Sequence, residues 1–373
     1  MSGQTVLKIL LLSAGGMVGQ NALDALEGRR GDLLLLGTNS EARNPRNFRC
    51  DKVFLVPPTT EREAFTRRVF GILESESPDL VLAGRDDDVL AMATWWERHP
   101  EWRGRFSCGS LNAAEIMRNK SRSFQFARER GLSFADSAVG EAGQPSPALE
   151  ALLAKYGFPL IAKPCVGCGS KGVYIVHDTG QLQRLLGRGG YIFQEYLDLR
   201  PGLDLLQKEL ELGTPLFFSL PEETQVACQT AISPEGKVGG IFCSRVRMVG
   251  GNPEGSERVD DPALEKLTRA YAEALSAEGW AGPLNLQCKP RSTGEYAVFE
   301  LNGRMTGSTS ARRHLGFDEI GNLVEMFVGP GRLMKAQIQA PLPRWVMRTA
   351  VDSPLMESQV SILEEDGQCE RSS

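Results

Sequence analysis

Four short apolar runs follow one another near the start of the chain: VLKILLL at 6–12, LLLLG at 33–37, KVFLV at 52–56 and DLVLAG at 79–84. Each has the length of a single strand. Between the first two stands SAGGMVGQNALDAL, a glycine turn that leads into helical spacing. Strand, turn, helix and strand in that rhythm restrict the chain to an open α/β arrangement with a parallel sheet. A Rossmann-like unit is therefore expected over residues 1–110. Its turn, Ala14-x-Gly16-x-x-Gly19, approaches a dinucleotide fingerprint. A cofactor-binding version places an acid at the end of the second strand, where this chain has Thr38 and Asn39, with Glu41 only later. The glycines are better explained by a tight strand-to-helix turn than by NAD.

Composition excludes several classes of function. The chain has 373 residues and a net charge of −5, without a long basic run. A nucleic-acid partner demands clustered Lys and Arg, so none is expected. No apolar stretch reaches the roughly 18 residues of a membrane span. The apolar start is short and runs into Gly15-Gly16, which fits a buried strand better than a signal peptide, and a cytoplasmic protein is expected. Eight cysteines are scattered apart from the pair Cys165 and Cys168, a pattern of reduced thiols. Zinc would need a second half-site. The three histidines, His99, His177 and His314, do not supply one.

Further along, residues 111–131 have helical spacing with Gly131 as a stop. FPLIAKP and GVYIVHD are strands on either side of CVGCGSK, so this stretch forms a hairpin whose glycine loop can fold over a ligand. YIFQEYL at 191–197 is strand-like, and 198–221 has no clean period and reads as an insertion. TQVACQTAIS and KVGGIFCSRVRM form a hairpin around PEG. A helix with Pro262 in its first turn ends at Gly279. PLNLQCK and YAVFELNGR pair around PRSTGE. The tail is mixed, and its last residues, EEDGQCERSS, are expected to be frayed.

The densest chemistry lies in that last strand pair. Alternation puts Glu300 and Asn302 on one face, where Gln287 can meet them from the partner strand. One carboxylate and two carboxamide oxygens suit Mg²⁺, which takes oxygen ligands and often completes its shell with nucleotide phosphates. Arg304 continues the same face. A half-solvated polar strand face explains the same pattern.

Taken in order, Asn119-Lys120, LIAKP with Lys163, GCGSKG, QEYL and ELNGR resemble the ATP-grasp superfamily. The likeness is greatest to its carbamoyl-phosphate-synthetase-related carboxylate–amine ligases and covers most of residues 6–330. The resemblance implies a two-lobed ATP-grasp fold over 111–330, with a flap lobe at about 135–196, a metal lobe at about 197–330 and an extension at 331–373. It implies that Lys120 and Lys163 contact the α- and β-phosphates of ATP; Lys163 lies inside an apolar strand, unlike a surface lysine. Residues 167–172, with Gly167, Gly169, Ser170 and Gly172, would cover the triphosphate. They do not form a Walker A loop, because Gly172 follows Lys171. Glu195, Tyr196 and Leu197 would form the hinge beside adenine. Glu223, or alternatively Asp204, would meet the ribose.

In the same way Glu300 would bridge two Mg²⁺ ions, with Gln287 and Asn302 completing the shell and Mn²⁺ able to substitute. Gly303 departs from the family pattern, where proline is usual. Arg304, Arg245 and Arg247 would stabilise the transferred phosphate, although 245 and 247 could equally belong to a cross-strand salt-bridge ladder. Within 307–317, Arg312, Arg313 and His314 are candidates for holding the second substrate, or else belong to a capped helix with a solvated basic face. The implied reaction joins a small-molecule carboxylate to an amine through an acyl phosphate, releasing ADP and phosphate. Carbamoyl-phosphate-type activation of bicarbonate and a non-catalytic ATP-binding module are the alternatives. A homodimer is the default assembly.

Overall fold

The computed structural model describes residues 6–141, 143–167, 169–197, 225–349 and 352–371. The four apolar runs at the start become strands β1 (Leu7–Leu11), β2 (Leu33–Asn39), β3 (Lys52–Leu55) and β4 (Leu80–Leu82). They are parallel and lie in the order β3-β2-β1-β4. Helices Met17–Leu26, Arg62–Glu76 and Asp86–Arg98 follow the first, third and fourth strands. The turn after β1 is tight for packing reasons. A Cβ on Gly19 would fall 2.2 Å from the Ala14 carbonyl oxygen, and one on Gly15 would fall 2.1 Å from Asn39 Nδ2. Asn39 thus crosses the turn where a dinucleotide would approach.

The single helix expected over 111–131 is two, Leu111–Arg118 and Lys120–Glu129. Asn119 between them is extended, and its side-chain oxygen accepts from the N–H groups of Ser121 and Arg122. An Asn that caps the second helix in this way ends the first.

A second sheet contains β5 (Ser137–Val139), β6 (Leu160–Pro164), β7 (Tyr174–Val176) and β8 (Tyr191–Glu195), in the order β5-β8-β6-β7. β6 and β7 are antiparallel, so the glycine stretch does connect a hairpin. The third sheet contains β9 (Val226–Ile232), β10 (Phe242–Val249), β11 (Asn252–Val259), β12 (Gly282–Pro290), β13 (Tyr296–Asn302) and β14 (Trp345–Met347). Its order is β13-β12-β9-β10-β11-β14. A parallel front sheet followed by these two antiparallel sheets is the α/β and α+β class expected. The insertion at 198–221 lies outside the described residues.

Residues 364–371 are not frayed. Helix Glu357–Asp366 stops at Gly367, and β15 (Gln368–Glu370) pairs antiparallel with β3. Burial of Val360, Leu363 and Cys369 holds it there. Residues after 331 therefore add one strand to the third sheet and one to the first. The cores are shared as well. Ile320, Leu323 and Val324 of helix Glu319–Phe327 pack with Leu7, Ile9 and Leu11 of β1. Such shared packing fixes the front sheet against the third.

Candidate active site

A cavity of about 860 Å³ opens where the three sheets meet. Its floor is one face of the third sheet. Glu300 stands directly across from Gln287, Gln287 from Ala227 and Ala227 from Ser244, so this row shares a face. Asn302 and Asn285 form the neighbouring row. Gln287, Glu300 and Asn302 are thereby brought together, as the alternation predicted, and all line the cavity.

Two lysines face this floor. Lys163, on β6, is 8% exposed, and its Nζ donates to Gln194 Oε1 at 2.8 Å and lies 4.4 Å from the centre of the Phe299 ring. Burial, with Lys120 and Lys289 nearby, pushes its ammonium down to about 7 against the pull of Glu300. Lys120 Nζ lies 3.7 Å from Glu300 Oε1 and donates to the Gly167 carbonyl at 3.0 Å. Buried ammonium groups turned toward open space need an anion to complete their solvation.

The glycine stretch forms the roof. Gly167, Gly169 and Ser170 line the cavity, and Gly169 and Ser170 take left-handed φ values of 63° and 57°. A Cβ on Gly251 would lie 3.7 Å from the Gly169 carbonyl, so the hairpin tip rests against the turn between β10 and β11. Gly172 is not among the lining residues and packs toward Pro164, whose Cγ would be 3.1 Å from an added Cβ. Cys165 is a free thiol, and Cys168 lies outside the described residues.

Glu195, Tyr196 and Leu197 line the side wall. The Glu195 carboxylate is buried against Arg291 at 2.7 Å and accepts the Asp136 N–H, so it braces the hinge rather than facing a base. Glu223 and Asp204 lie outside the described residues.

Three sequence expectations are corrected. Arg245 and Arg247 do not reach the cavity. Both are exposed, while Val246 and Met248 between and beside them line it. Arg245 instead pairs with Glu257 on β11 at 2.7 Å, as a cross-strand ladder would. Arg312 is fully buried and bonded to Glu319 at 2.7 Å and to Thr309 at 3.1 Å. Arg313 donates to the carbonyls of Asp24, Ala25 and Glu27 at the end of helix Met17–Leu26, and His314 is exposed. From this segment Thr306, Gly307 and Ser308 line the cavity instead.

Arg304 does line the cavity, but in the grip of Asp86. Its Nε and Nη2 donate to Asp86 Oδ1 and Oδ2 at 2.8 and 2.9 Å, and Nη2 also donates to Asn302 Oδ1 at 3.2 Å. Gly303 has a reason to lack a side chain, since a Cβ would lie 2.7 Å from both Met117 Cε and Trp280 Cζ2. Sequence reasoning missed Asp86, Gln194, Phe299 and Lys289. The acidic run at 86–88 beside a helix start was the available signal for the first.

The floor suits a hard cation. Among the described residues no group of three or more His, Cys, Asp and Glu side chains forms a protein cage. Glu300 is flanked by carboxamides, and the Asn285 Oδ1 acceptor is buried without a hydrogen-bond partner. Few protein ligands, all of them oxygen acceptors, suit a magnesium ion shared with phosphate oxygens.

No family model matches the sequence. Carbamoyl phosphate synthase large chains from Clostridium botulinum (strain Alaska E43 / Type E3) and Clostridium beijerinckii are 25% and 26% identical over 329 and 330 residues, covering 82% of this chain. The chain spans only 28% of the length of these curated relatives. Among solved structures, an ADP complex of N5-carboxyaminoimidazole ribonucleotide synthetase matches with a TM-score of 0.62 at 16% identity, covering 86% of this chain and 77% of that one. Campylobacter jejuni biotin carboxylase gives 0.61 at 16% identity, with 87% and 71% covered. An L-amino acid ligase from Bacillus licheniformis gives 0.60 at 15%, with 86% and 74% covered. In fold the chain matches these ATP-grasp structures, and over 82% of its length its sequence is similar to the large chain of carbamoyl phosphate synthase.

Proposed function

We propose that the protein is an ATP-dependent carboxylate–amine ligase. The observation that carries this reading is the convergence of Lys120 and Lys163 on Glu300, Gln287 and Asn302 beneath a glycine hairpin. The lysines bind the phosphates of ATP, and the N–H groups of Gly167, Gly169 and Ser170 cover them. The side wall at 195–197 takes the adenine. Glu300, with Gln287 and Asn302, holds magnesium, with manganese as a substitute; the ion neutralises charge on the phosphates when bound. Glu223 is kept as the ribose partner, ahead of Asp204.

The carboxylate substrate attacks the γ-phosphorus, ADP leaves, and an amine displaces phosphate from the resulting acyl phosphate. Arg304 turns an N–H group toward the transferred phosphate, and the roof excludes water from the acyl phosphate. Positioning and electrostatics supply the rate, so no nucleophilic side chain is needed. The substrates are small molecules. Among the described residues no helix is long and apolar enough to cross a membrane.

The test is ADP release from MgATP over a panel of carboxylic acids and amines. Turnover should require both substrates and should be lost in Lys163→Ala and Glu300→Ala. Turnover unaffected by either substitution would dismiss the site assignment. The relationship to carbamoyl phosphate synthase favours one second reading, activation of bicarbonate with ammonia, and including that pair in the panel separates the two.

A further inference from the structure

We infer that Asp86, on the helix after β4, is a positioning residue that orients Arg304 for phosphate transfer, an inference that rests on the ligase reading above. Asp86 opens helix Asp86–Arg98, and its place is fixed from below. The Asp88 carboxylate accepts the N–H groups of Gly84 and Arg85 at 3.1 and 2.9 Å and the hydroxyl of Ser13 at 3.0 Å. A Cβ on Gly84 would fall 2.4 Å from the Leu12 carbonyl, so the turn after β4 is pressed onto the end of β1. Ser13 itself has a left-handed φ of 51°, a conformation that a non-glycine residue holds only when its surroundings impose it.

From this rigid turn Asp86 grips Arg304 with both oxygens. The side chains are 23% and 13% exposed, and both residues line the cavity. Burial pulls the Asp86 carboxyl upward, but the charge and hydrogen bonds of Arg304, with Lys120 and Arg118, outweigh it and hold the group below its usual range. A bidentate fork fixes the plane of the guanidinium as well as its distance. The remaining contacts of that guanidinium include the Met305 carbonyl at 3.0 Å and Asn302, two residues from Glu300. The orientation of Arg304 over the floor is therefore set by a helix that packs on the front sheet. Formally the pair carries no net charge, and with Nε–H, both Nη2–H groups and one Nη1–H engaged, at most one Arg304 N–H can turn to phosphate, in a direction that the Asp86 fork sets.

This predicts effects of opposite sign, which a merely structural tie would not give. In Asp86→Asn the site gains one positive charge, so MgADP affinity should stay the same or tighten by a few-fold. The misplaced guanidinium should lower kcat by roughly tenfold to 100-fold. Added guanidinium should partly restore turnover to Arg304→Ala but not to the Asp86→Asn/Arg304→Ala pair. Asp86→Glu, which keeps the charge but moves it by one methylene, should fall between parent and Asn, and it provides the comparison if the Asn variant does not fold. The measurements are MgADP affinity by calorimetry, steady-state kcat and Tm. An unchanged kcat overturns the assignment, as do kcat, affinity and Tm falling together. If the parent shows no magnesium-dependent nucleotide binding, the reading of the cavity falls and the role of Asp86 falls with it.

Discussion

The Lys120 ammonium stands 3.7 Å from the Glu300 carboxylate, placing the first residue of a helix against strand β13 across the cavity floor. The lysine balances the acid where a divalent ion would otherwise do so. Glu300→Ala should remove cation affinity and strip Lys120 of its counter-charge. The expected outcome is a loss of turnover of roughly 100-fold or more. Tm should fall as well, because the Lys120 side chain is 9% exposed and loses its nearest counter-charge. Magnesium titration of ADP release, with a thermal melt on the same sample, checks both halves.

Lys163 makes the site sensitive to pH in a defined direction. Its pKa is pushed down to about 7 from the 10.5 of a free lysine. Between those values the unfolded chain holds a proton that the folded chain does not, so this group's contribution to stability rises from pH 7 to 10.5. It is lost as pH falls to 7 and changes no further below. Phosphate bound beside Lys163 favours the charged form. At pH 8, MgATP binding should therefore draw in up to about one proton. Calorimetry in buffers of different ionisation enthalpy measures this, and Lys163→Met should abolish it.

Arg312 and Glu319 form an ion pair with side chains 0% and 1% exposed. Removing one partner strands the other charge, a penalty of about 3–5 kcal/mol. Arg312→Met and Glu319→Gln should each lower the denaturation free energy by about that amount, while molecules that remain folded keep their nucleotide affinity. Chemical denaturation alongside MgADP binding tests the pair.

Arg245→Ala should leave kcat within about twofold of the parent, since the side chain is half-exposed on the far face of the sheet and Glu257 keeps Arg344 as a partner. A fall in kcat of an order of magnitude would return Arg245 to the catalytic set.

What the sequence disclosed depended on the range of the interaction. β1 to β4 and the Glu300/Asn302 face follow from periods of a few residues, and those expectations agree with the structure. Alternation also showed that Arg245 and Arg247 share a face, but not which face. That is decided by pairing from Ser244 through Ala227 and Gln287 to Glu300, a chain of contacts across four strands. Arg312 resembles a solvated base in ARRH because Glu319 neutralises it, and Thr306 and Thr309 accept its hydrogen bonds, only once the segment has turned back on itself. The acidic run marked Asp86, but its pairing with Arg304 was illegible for the same reason, the two lying 218 residues apart.

The closure of the front sheet by β15 bears on how the chain reaches this state. Arg68 donates to the Gly367 carbonyl 299 residues further along, and β3 keeps an open edge until that distant segment arrives. Contacts of such separation slow the approach to the native state. During that interval the unpaired backbone of β3 is available to other chains. Refolding yield should therefore fall steeply with protein concentration, and a chaperone that shields this edge should restore it.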